Sequence, residues 1–145
     1  MLVALACAGC LDTLGPEVGP LTQPRCFDVD SDPGTDVGFD ADIRLAIFDR
    51  EEVHCTRCHT PDGETPIGLQ VSGLDLSSLS TLRAGGIQSA DAIVEPGSPC
   101  RSVLIQKLGQ APPFGARMPL DGPPYLSLTD LQLISDWIVE GAHDN

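Results

Sequence analysis

The sequence predicts an all-α domain with long Pro- and Gly-rich loops and an irregular N-terminal segment. Residues 127–142 place apolar side chains on one helical face, and residues 40–52 repeat the same spacing. No segment alternates apolar and polar residues as a half-buried strand would, and many of the 13 prolines and 15 glycines lie between the helical segments. A length of 145 residues favours a single domain.

Residues 1–10, "MLVALACAGC", are apolar, rich in small residues and end in "AGC". They resemble the tail of a secretory signal that runs into a bacterial lipoprotein cleavage box, with Cys10 as the lipidated residue. The first basic residue is Arg25, so the basic region of such a signal is missing. Either the true start lies upstream, or the segment is another export signal or a structural one.

Residues 11–38 form a Pro-, Gly- and Asp-rich linker with little apolar periodicity. Four alternating acids in this linker have a spacing that can wrap a calcium ion: Asp28, Asp30, Asp32 and Asp36. The loop lacks the glycine and glutamate of a calcium-binding loop and follows no predicted helix. We therefore expect a solvated acidic tether, followed by one domain over residues 39–145.

Within that domain the predicted helices follow one another between loops. The first spans about 40–52, residues 60–73 form a loop, and one or two helical turns over 74–84 end at Gly85 and Gly86. The next helix has Ser98 as its N-cap and Pro99 in its first turn. After a loop over 109–126, Ser127 and Asp130 resemble a capping box for the last helix.

Composition limits the classes of function. The formal net charge is −13, which argues against binding to nucleic acid or to an anionic bilayer and suits a partner with a basic patch. No stretch is long and apolar enough for a transmembrane helix. Aromatic residues make up only 4% of the chain, so a flat apolar cofactor could supply part of the core.

The motif "CTRCH" carries the main chemical signal of the chain. Cys55 and Cys58 can each add across a vinyl group of haem, and His59 then lies under the iron as an axial ligand. A loop carbonyl, with Pro66 as one candidate, would fix the tautomer of His59. A structural zinc site usually takes two pairs of Cys or His ligands, and only one pair is present here. A redox dithiol usually follows a β-strand, and no strand is predicted before this motif. A zinc site, a redox dithiol and chance remain alternatives.

A second iron ligand is available in the loop "GARMPLDGPP". Met118 is the only methionine besides Met1, and it lies off any helical apolar stripe. Its alternative interpretation is a half-buried surface methionine. Arg117 can pair with a haem propionate through two donors, or it can be solvated. The candidate cofactor-binding residues are Cys55, Cys58, His59, Met118 and Arg117, of which His59 and Met118 bind the metal.

The segments "CTRCH", "VEPGSPCRSVLIQKL" and "RMPLDGPPYLSLTDLQLISDWIVEGA" resemble class I c-type cytochromes, and most resemble single-haem domains of exported bacterial lipoproteins. The resemblance covers residues 39–145. It implies a cytochrome c-like domain of three to five short helices around one covalent haem c. It also implies thioethers at Cys55 and Cys58, His59 as the proximal ligand and Met118 as the distal ligand. The implied function is transfer of single electrons, not catalysis.

Further expectations follow from this resemblance. Trp137 packs against the first helix or the haem edge. Once haem and lipid account for other cysteines, Cys26 and Cys100 remain, and we expect them to form a disulfide. The protein is expected in the periplasm or on the outer surface of a Gram-negative bacterium, lipid-anchored, with a basic redox partner. Two alternatives stay open: a haem-based sensor or peroxidase-like module, and a non-haem, zinc-binding exported protein.

Overall fold

The computed structural model describes Cys26 and residues 28–145. This part of the chain contains six helices and two short 3-10 turns, and it contains no β-strand. The all-α prediction is therefore confirmed for these residues. None of the described helices is long and apolar enough to cross a membrane. The signal-like segment 1–10, with Cys10, and most of the predicted linker before Cys26 lie outside the described residues.

The helices are short and separated by loops. In chain order they are α1 (Phe39–Phe48), α2 (Cys55–His59), α3 (Ile67–Ser72), α4 (Leu79–Ala84), α5 (Val103–Leu108) and α6 (Leu128–Val139). The backbone of α1 is wound as a π-helix, and Asp49 N donates to Arg44 O five residues back. The 3-10 turns span Ala90–Ile93 and Pro99–Arg101.

The core lies where α1 packs against α6. Four isoleucines at this contact are at most 1% exposed: Ile43 and Ile47 of α1, and Ile134 and Ile138 of α6. Fully burying such side chains contributes about 1.5–3 kcal/mol each. A buried aromatic contact joins the same helices and confirms one of the two predicted positions for Trp137. Its ring centroid lies 5.6 Å from that of Phe39.

The C-terminal tail is fixed rather than frayed. The carbonyl oxygen of His143 accepts hydrogen bonds from Trp137 Nε1 at 2.8 Å and from Phe39 N at 3.2 Å. The predicted capping box at the start of α6 is confirmed, since Ser127 and Asp130 each bond to the other's backbone. The predicted end of α4 at Gly85 is also confirmed, and its φ of +72° explains why glycine is favoured there.

Two helix predictions are wrong in detail. The predicted loop 60–73 contains α3, because its glycines serve close packing and a C-cap rather than breaking the chain. The helix expected from Ser98 begins instead at Val103, after the separate 3-10 turn at Pro99. Ser98 makes no side-chain cap. The buried hydroxyl of Ser102 interrupts the helix by bonding to Ser98 O and accepting from Glu95 N.

Residues 28–38, here called the N-terminal strap, lie along α6. Ser31 donates from its backbone and its hydroxyl to the buried carboxylate of Asp136. Val37 is buried, and its N–H donates to Glu140 Oε2 at 2.7 Å. The contacts of α6 are therefore not limited to its apolar side chains, since the carboxylate of Asp136 is buried as well. The strap has no helix but is bound to the domain.

Cys26 and Cys100 are joined by a disulfide, as predicted. The bond attaches the chain before the strap to the 3-10 turn that precedes α5. The acids proposed for calcium do not gather around one point among the described residues. Asp30 and Asp32 instead accept hydrogen bonds from Asp32 N and Gly34 N, as in ordinary turns.

Candidate haem-attachment site

The motif "CTRCH" forms α2, a single helical turn. Residues three and four apart share one face of such a turn, so Cys55, Cys58 and His59 project to the same side. Both thiols are unbonded, and Cys55 packs against the hydrophobic core. Burial raises the pKa of the Cys55 thiol to about 12, so this thiol is protonated at neutral pH.

The side chain of His59 is held in one tautomer. Its Nδ1 lies 3.2 Å from the carbonyl oxygen of Leu74. A carbonyl only accepts, so Nδ1 carries the proton and Nε2 keeps its lone pair. A loop carbonyl was expected for this role, but the candidate Pro66 is wrong, because Pro66 O accepts from Gln70 N instead. The Leu74 carbonyl is available because Leu76 N bonds to His59 O and folds this segment back on α2.

Burial lowers the pKa of His59, although the hydrogen bond to Leu74 opposes this shift. The positive charge of Lys107 lowers the pKa further. The imidazole is therefore neutral at neutral pH, which is the form that binds a metal.

Gly68 allows α3 to approach His59 closely. A Cβ atom at position 68 would lie 2.7 Å from His59 Nε2 and 2.9 Å from Cys58 O. Contacts this short exclude any side chain unless both the ring of His59 and the backbone at Cys58 move. The glycine therefore has a packing role that its loop-like sequence context concealed.

Met118 lies in the irregular chain between α5 and α6 and is partly buried against the core. Its backbone N–H donates to Lys107 O, at the C-terminal turn of α5, at 2.9 Å. Arg117 Nε donates to Leu108 O at 2.8 Å, and its guanidinium lies 3.9 Å from the centre of the Tyr125 ring. The end of α5 thus holds the segment that carries Met118. The terminal nitrogens of Arg117 make no hydrogen bond to another described residue.

Two contacts bring the segments of His59 and Met118 into one neighbourhood. Arg57, inside α2, donates to Asp121 Oδ2 at 3.3 Å, three residues after Met118. Lys107 binds Met118 through its backbone and acts on the pKa of His59 through its charge. The segments that carry His59 and Met118 are therefore neighbours in the structure.

Among the described residues, no set of zinc ligands gathers around α2. In the described part of the chain, the only cluster of three possible metal ligands is Cys26, Asp28 and Cys100, two of which form the disulfide. Neither Cys55 nor His59 meets a third ligand there. Reactive dithiols have a lowered thiol pKa, whereas that of Cys55 is raised.

Several apolar side chains near the two segments are exposed. They are between 40% and 79% exposed and comprise Ile67, Val71, Ile87, Leu120 and Tyr125. Two open surface hollows of about 480 Å³ each are lined by other, largely polar residues, and neither includes Cys55, Cys58, His59 or Met118. Exposed apolar side chains are the kind of surface that a flat apolar cofactor would cover, and their chemistry fits haem.

Sequence reasoning missed three contributors to the site. The Leu74 carbonyl and Gly68 depend on how residues 60–76 fold back on α2. Lys107 is the only lysine of the chain, a signal that could have drawn attention to it. Comparisons with protein-family models, with curated proteins and with solved structures find no match to this chain.

Proposed function

We propose that residues 39–145 form a monohaem c-type cytochrome domain that carries single electrons between partner proteins. Cys55 and Cys58 would hold the haem through thioethers, and His59 and Met118 would be its axial ligands. This assignment rests on the resemblance of the motifs and on the geometry around α2.

The observation that carries the proposal is the state of His59. Its Nδ1–H is bound to Leu74 O, its Nε2 lone pair is free of the proton, and the ring is neutral. A metal-binding histidine needs this arrangement, because the second-shell acceptor orients the ring and makes the other nitrogen a better donor. The two thiols on the same face of α2 fit attachment at that point.

Haem in such a site supplies a reversible one-electron couple between ferric and ferrous iron. The residues of this chain would set its properties. His59 donates a nitrogen held in place by Leu74, and Met118 donates a soft, neutral sulfur. Methionine ligation favours ferrous iron and raises the potential relative to two histidines. Arg117 would offer its terminal nitrogens to a propionate.

The acidic charge indicates the kind of partner. A net charge of −13 would attract a redox protein with a basic patch and speed their encounter at low salt. Complexes of this kind are typically small and transient. We further propose export to the periplasm or outer surface, with lipid at Cys10 as the only attachment to a membrane.

The test is an absorption spectrum of the full-length protein, expressed for export together with haem-maturation machinery. We expect covalent haem with a six-coordinate, low-spin spectrum and a weak far-red band from methionine bound to ferric iron. Met118→Ala should keep the haem but lose that band. His59→Ala is the matched variant on the other side of the iron, and it should lose low-spin ligation altogether.

The other outcomes select the alternatives. A high-spin spectrum in the unmodified protein would contradict stable Met118 ligation and favour a sensor or peroxidase-like module. Absence of covalent haem would overturn the proposal, and zinc analysis of the same sample would then test the non-haem alternative.

A further inference from the structure

The only lysine of this protein is not an ordinary surface lysine. Lys107 lies in the last turn of α5, and burial lowers its pKa. Lysine side chains usually extend into water, because holding one in place costs side-chain entropy and desolvation. A lysine that is fixed and partly buried therefore has contacts that compensate for these costs.

Those contacts are made with the segment that precedes Met118. Lys107 Nζ donates to the carbonyl oxygens of Phe114 at 2.8 Å and Ala116 at 2.5 Å. It also lies 4.9 Å from the centre of the Phe114 ring, within the range of a cation–π contact. One ammonium group thus binds the loop at two positions.

The backbone of the same residue binds the loop at a third position. Lys107 O accepts from Met118 N at 2.9 Å, and beside it Leu108 O accepts from Arg117 Nε at 2.8 Å. The loop between α5 and Met118 has no helix of its own and carries Pro112, Pro113 and Gly115. Its conformation therefore depends on contacts such as these.

We propose that Lys107 is a positioning residue for Met118: its ammonium group closes the loop over the end of α5 and keeps the methionine sulfur at the iron. This inference rests on the proposed His59/Met118 ligation. It assigns Lys107 no contact with the haem. It distinguishes Lys107 from Arg117, whose terminal nitrogens remain available to a propionate.

The experiment compares Lys107→Ala with Arg101→Ala in the haem-loaded, full-length protein. Arg101 is a suitable control because it lies in the turn before α5, is 73% exposed and pairs with Glu95 rather than with the loop. Lys107→Arg keeps the positive charge but changes its geometry. Lys107→Gln removes the charge but keeps a long polar side chain, and it replaces Lys107→Ala if that variant fails to fold.

The first measurement is the rate at which imidazole replaces Met118 on ferric iron. This rate is observed as the loss of the far-red band. Replacement requires the loop to open, and hydrogen bonds from charged donors stabilise by enough to change such a rate about tenfold or more. We expect Lys107→Ala to bind imidazole at least about tenfold faster than the unmodified protein, with partial recovery in Lys107→Arg. Arg101→Ala should leave the rate unchanged.

The second measurement is amide hydrogen exchange over residues 109–118, which does not depend on haem. Lys107→Ala should accelerate exchange at Met118 N while α6 stays protected. Unchanged exchange and an unchanged imidazole rate in a folded, haem-loaded variant would overturn the role of Lys107 and leave the cytochrome proposal intact. Absence of covalent haem from the unmodified protein would instead overturn the proposed function, and with it the ligand role that Lys107 serves.

Discussion

The segments that carry the two proposed iron ligands are held in different ways. His59 lies on α2, its ring is bound through Nδ1 to Leu74 O, and Gly68 packs against it. Met118 lies in a loop, and it is held by the hydrogen bond from its backbone N–H to Lys107 O. The His59 segment is fixed mainly by residues close to it in sequence, whereas the Met118 segment depends on α5 and on Lys107.

This difference has a functional meaning. A ligand fixed by contacts of its own side chain binds the iron in one geometry, and it cannot bind once that geometry is lost. A ligand fixed through its loop can be released and recaptured as the loop opens and closes. We therefore expect damage on the His59 side to affect haem retention, and damage on the Met118 side to give graded changes in ligand exchange. Four predictions test this contrast, beginning with the largest expected effect.

Removal of the Cys26–Cys100 disulfide should act on both sides alike. Cys26→Ser with Cys100→Ser is expected to lower the free energy of unfolding by about 2–5 kcal/mol, because the bond closes a long loop of the unfolded chain. The bond touches neither ligand segment directly. Denaturant unfolding gives the loss, and the far-red band at low denaturant shows whether Met118 stays bound.

The control for this variant is the unmodified protein after its disulfide has been reduced, both thiols alkylated and the iron reoxidised, which should behave in the same way. Loss of the far-red band in a folded variant would contradict the expected equal effect, because it would link the disulfide to the Met118 side alone.

Gly68→Ala should damage the His59 side. In a helix interior alanine is normally favoured over glycine by about 0.5–1 kcal/mol. Here its Cβ would lie 2.7 Å from His59 Nε2, and overpacking of this kind typically costs about 1–3 kcal/mol. We expect a net loss of stability and weaker histidine ligation, measured by thermal unfolding and by the low-spin spectrum.

Gly38→Ala is the control for an added Cβ without a clash, since this Cβ would make an ordinary contact at 3.4 Å from Asn145 O. Gly38 is the N-cap of α1, where glycine is preferred over alanine, so a small loss of stability is expected there. A Gly68→Ala protein as stable as the unmodified one would show that the ring of His59 and the backbone at Cys58 can move without cost.

Asp130→Asn tests how the chain before α2 is fixed to α6. Arg50 holds both carboxylate oxygens of Asp130, at 3.0 and 2.7 Å, and this contact lowers the pKa of Asp130. A lowered pKa stabilises the fold above the unfolded value of about 3.9 and loses this contribution as the pH falls through the folded value. We expect the variant to lose about 1 kcal/mol at pH 7.

The measurement is urea unfolding between pH 3 and 7. The difference between the two proteins should shrink as the pH falls below the unfolded value of about 3.9 toward the lowered folded value. The carboxylate of the unfolded chain is then protonated, and the ion pair with Arg50 stabilises the folded state less. Asp62→Asn, at an exposed acid outside any described ion pair, should change little. A difference that grows at acid pH would refute the assigned sign.

The smallest effect is expected where the two sides meet. Arg57 and Asp121 form an exposed pair at 3.3 Å, with side chains 36% and 61% exposed. Exposed pairs typically contribute about 0.2–1 kcal/mol. A double-mutant cycle with Arg57→Ala and Asp121→Ala should give a coupling energy below about 1 kcal/mol that weakens further in salt. A larger, salt-resistant coupling would mean that this exposed pair joins the two ligand segments firmly.

The sequence predicted the features that depend on local chemistry. The capping box of Ser127 and Asp130, the end of α4 at Gly85 and the alignment of Cys55, Cys58 and His59 each follow from residues a few positions apart. The disulfide was predicted by accounting for the other cysteines.

The remaining features depend on contacts between distant segments. Gly68 has the signature of a loop residue, but its lack of a side chain serves the approach of α3 to His59. Ser102 interrupts the helix expected from Ser98, because its hydroxyl accepts a hydrogen bond from Glu95 N, seven residues earlier. The polar Asp136 is buried, and it is covered by Ser31, more than 100 positions earlier. No local pattern contains this information.

The disulfide also determines where mechanical load enters the domain. Tension that arrives through the chain before Cys26 meets a covalent junction at that residue. It can then pass directly to Cys100 and the turn that precedes α5. The strap of residues 28–38 and its hydrogen bonds to α6 need not bear it. If the upstream chain is attached to a membrane, the domain would be pulled through a covalent link, while the packing of α1 on α6 remains unloaded.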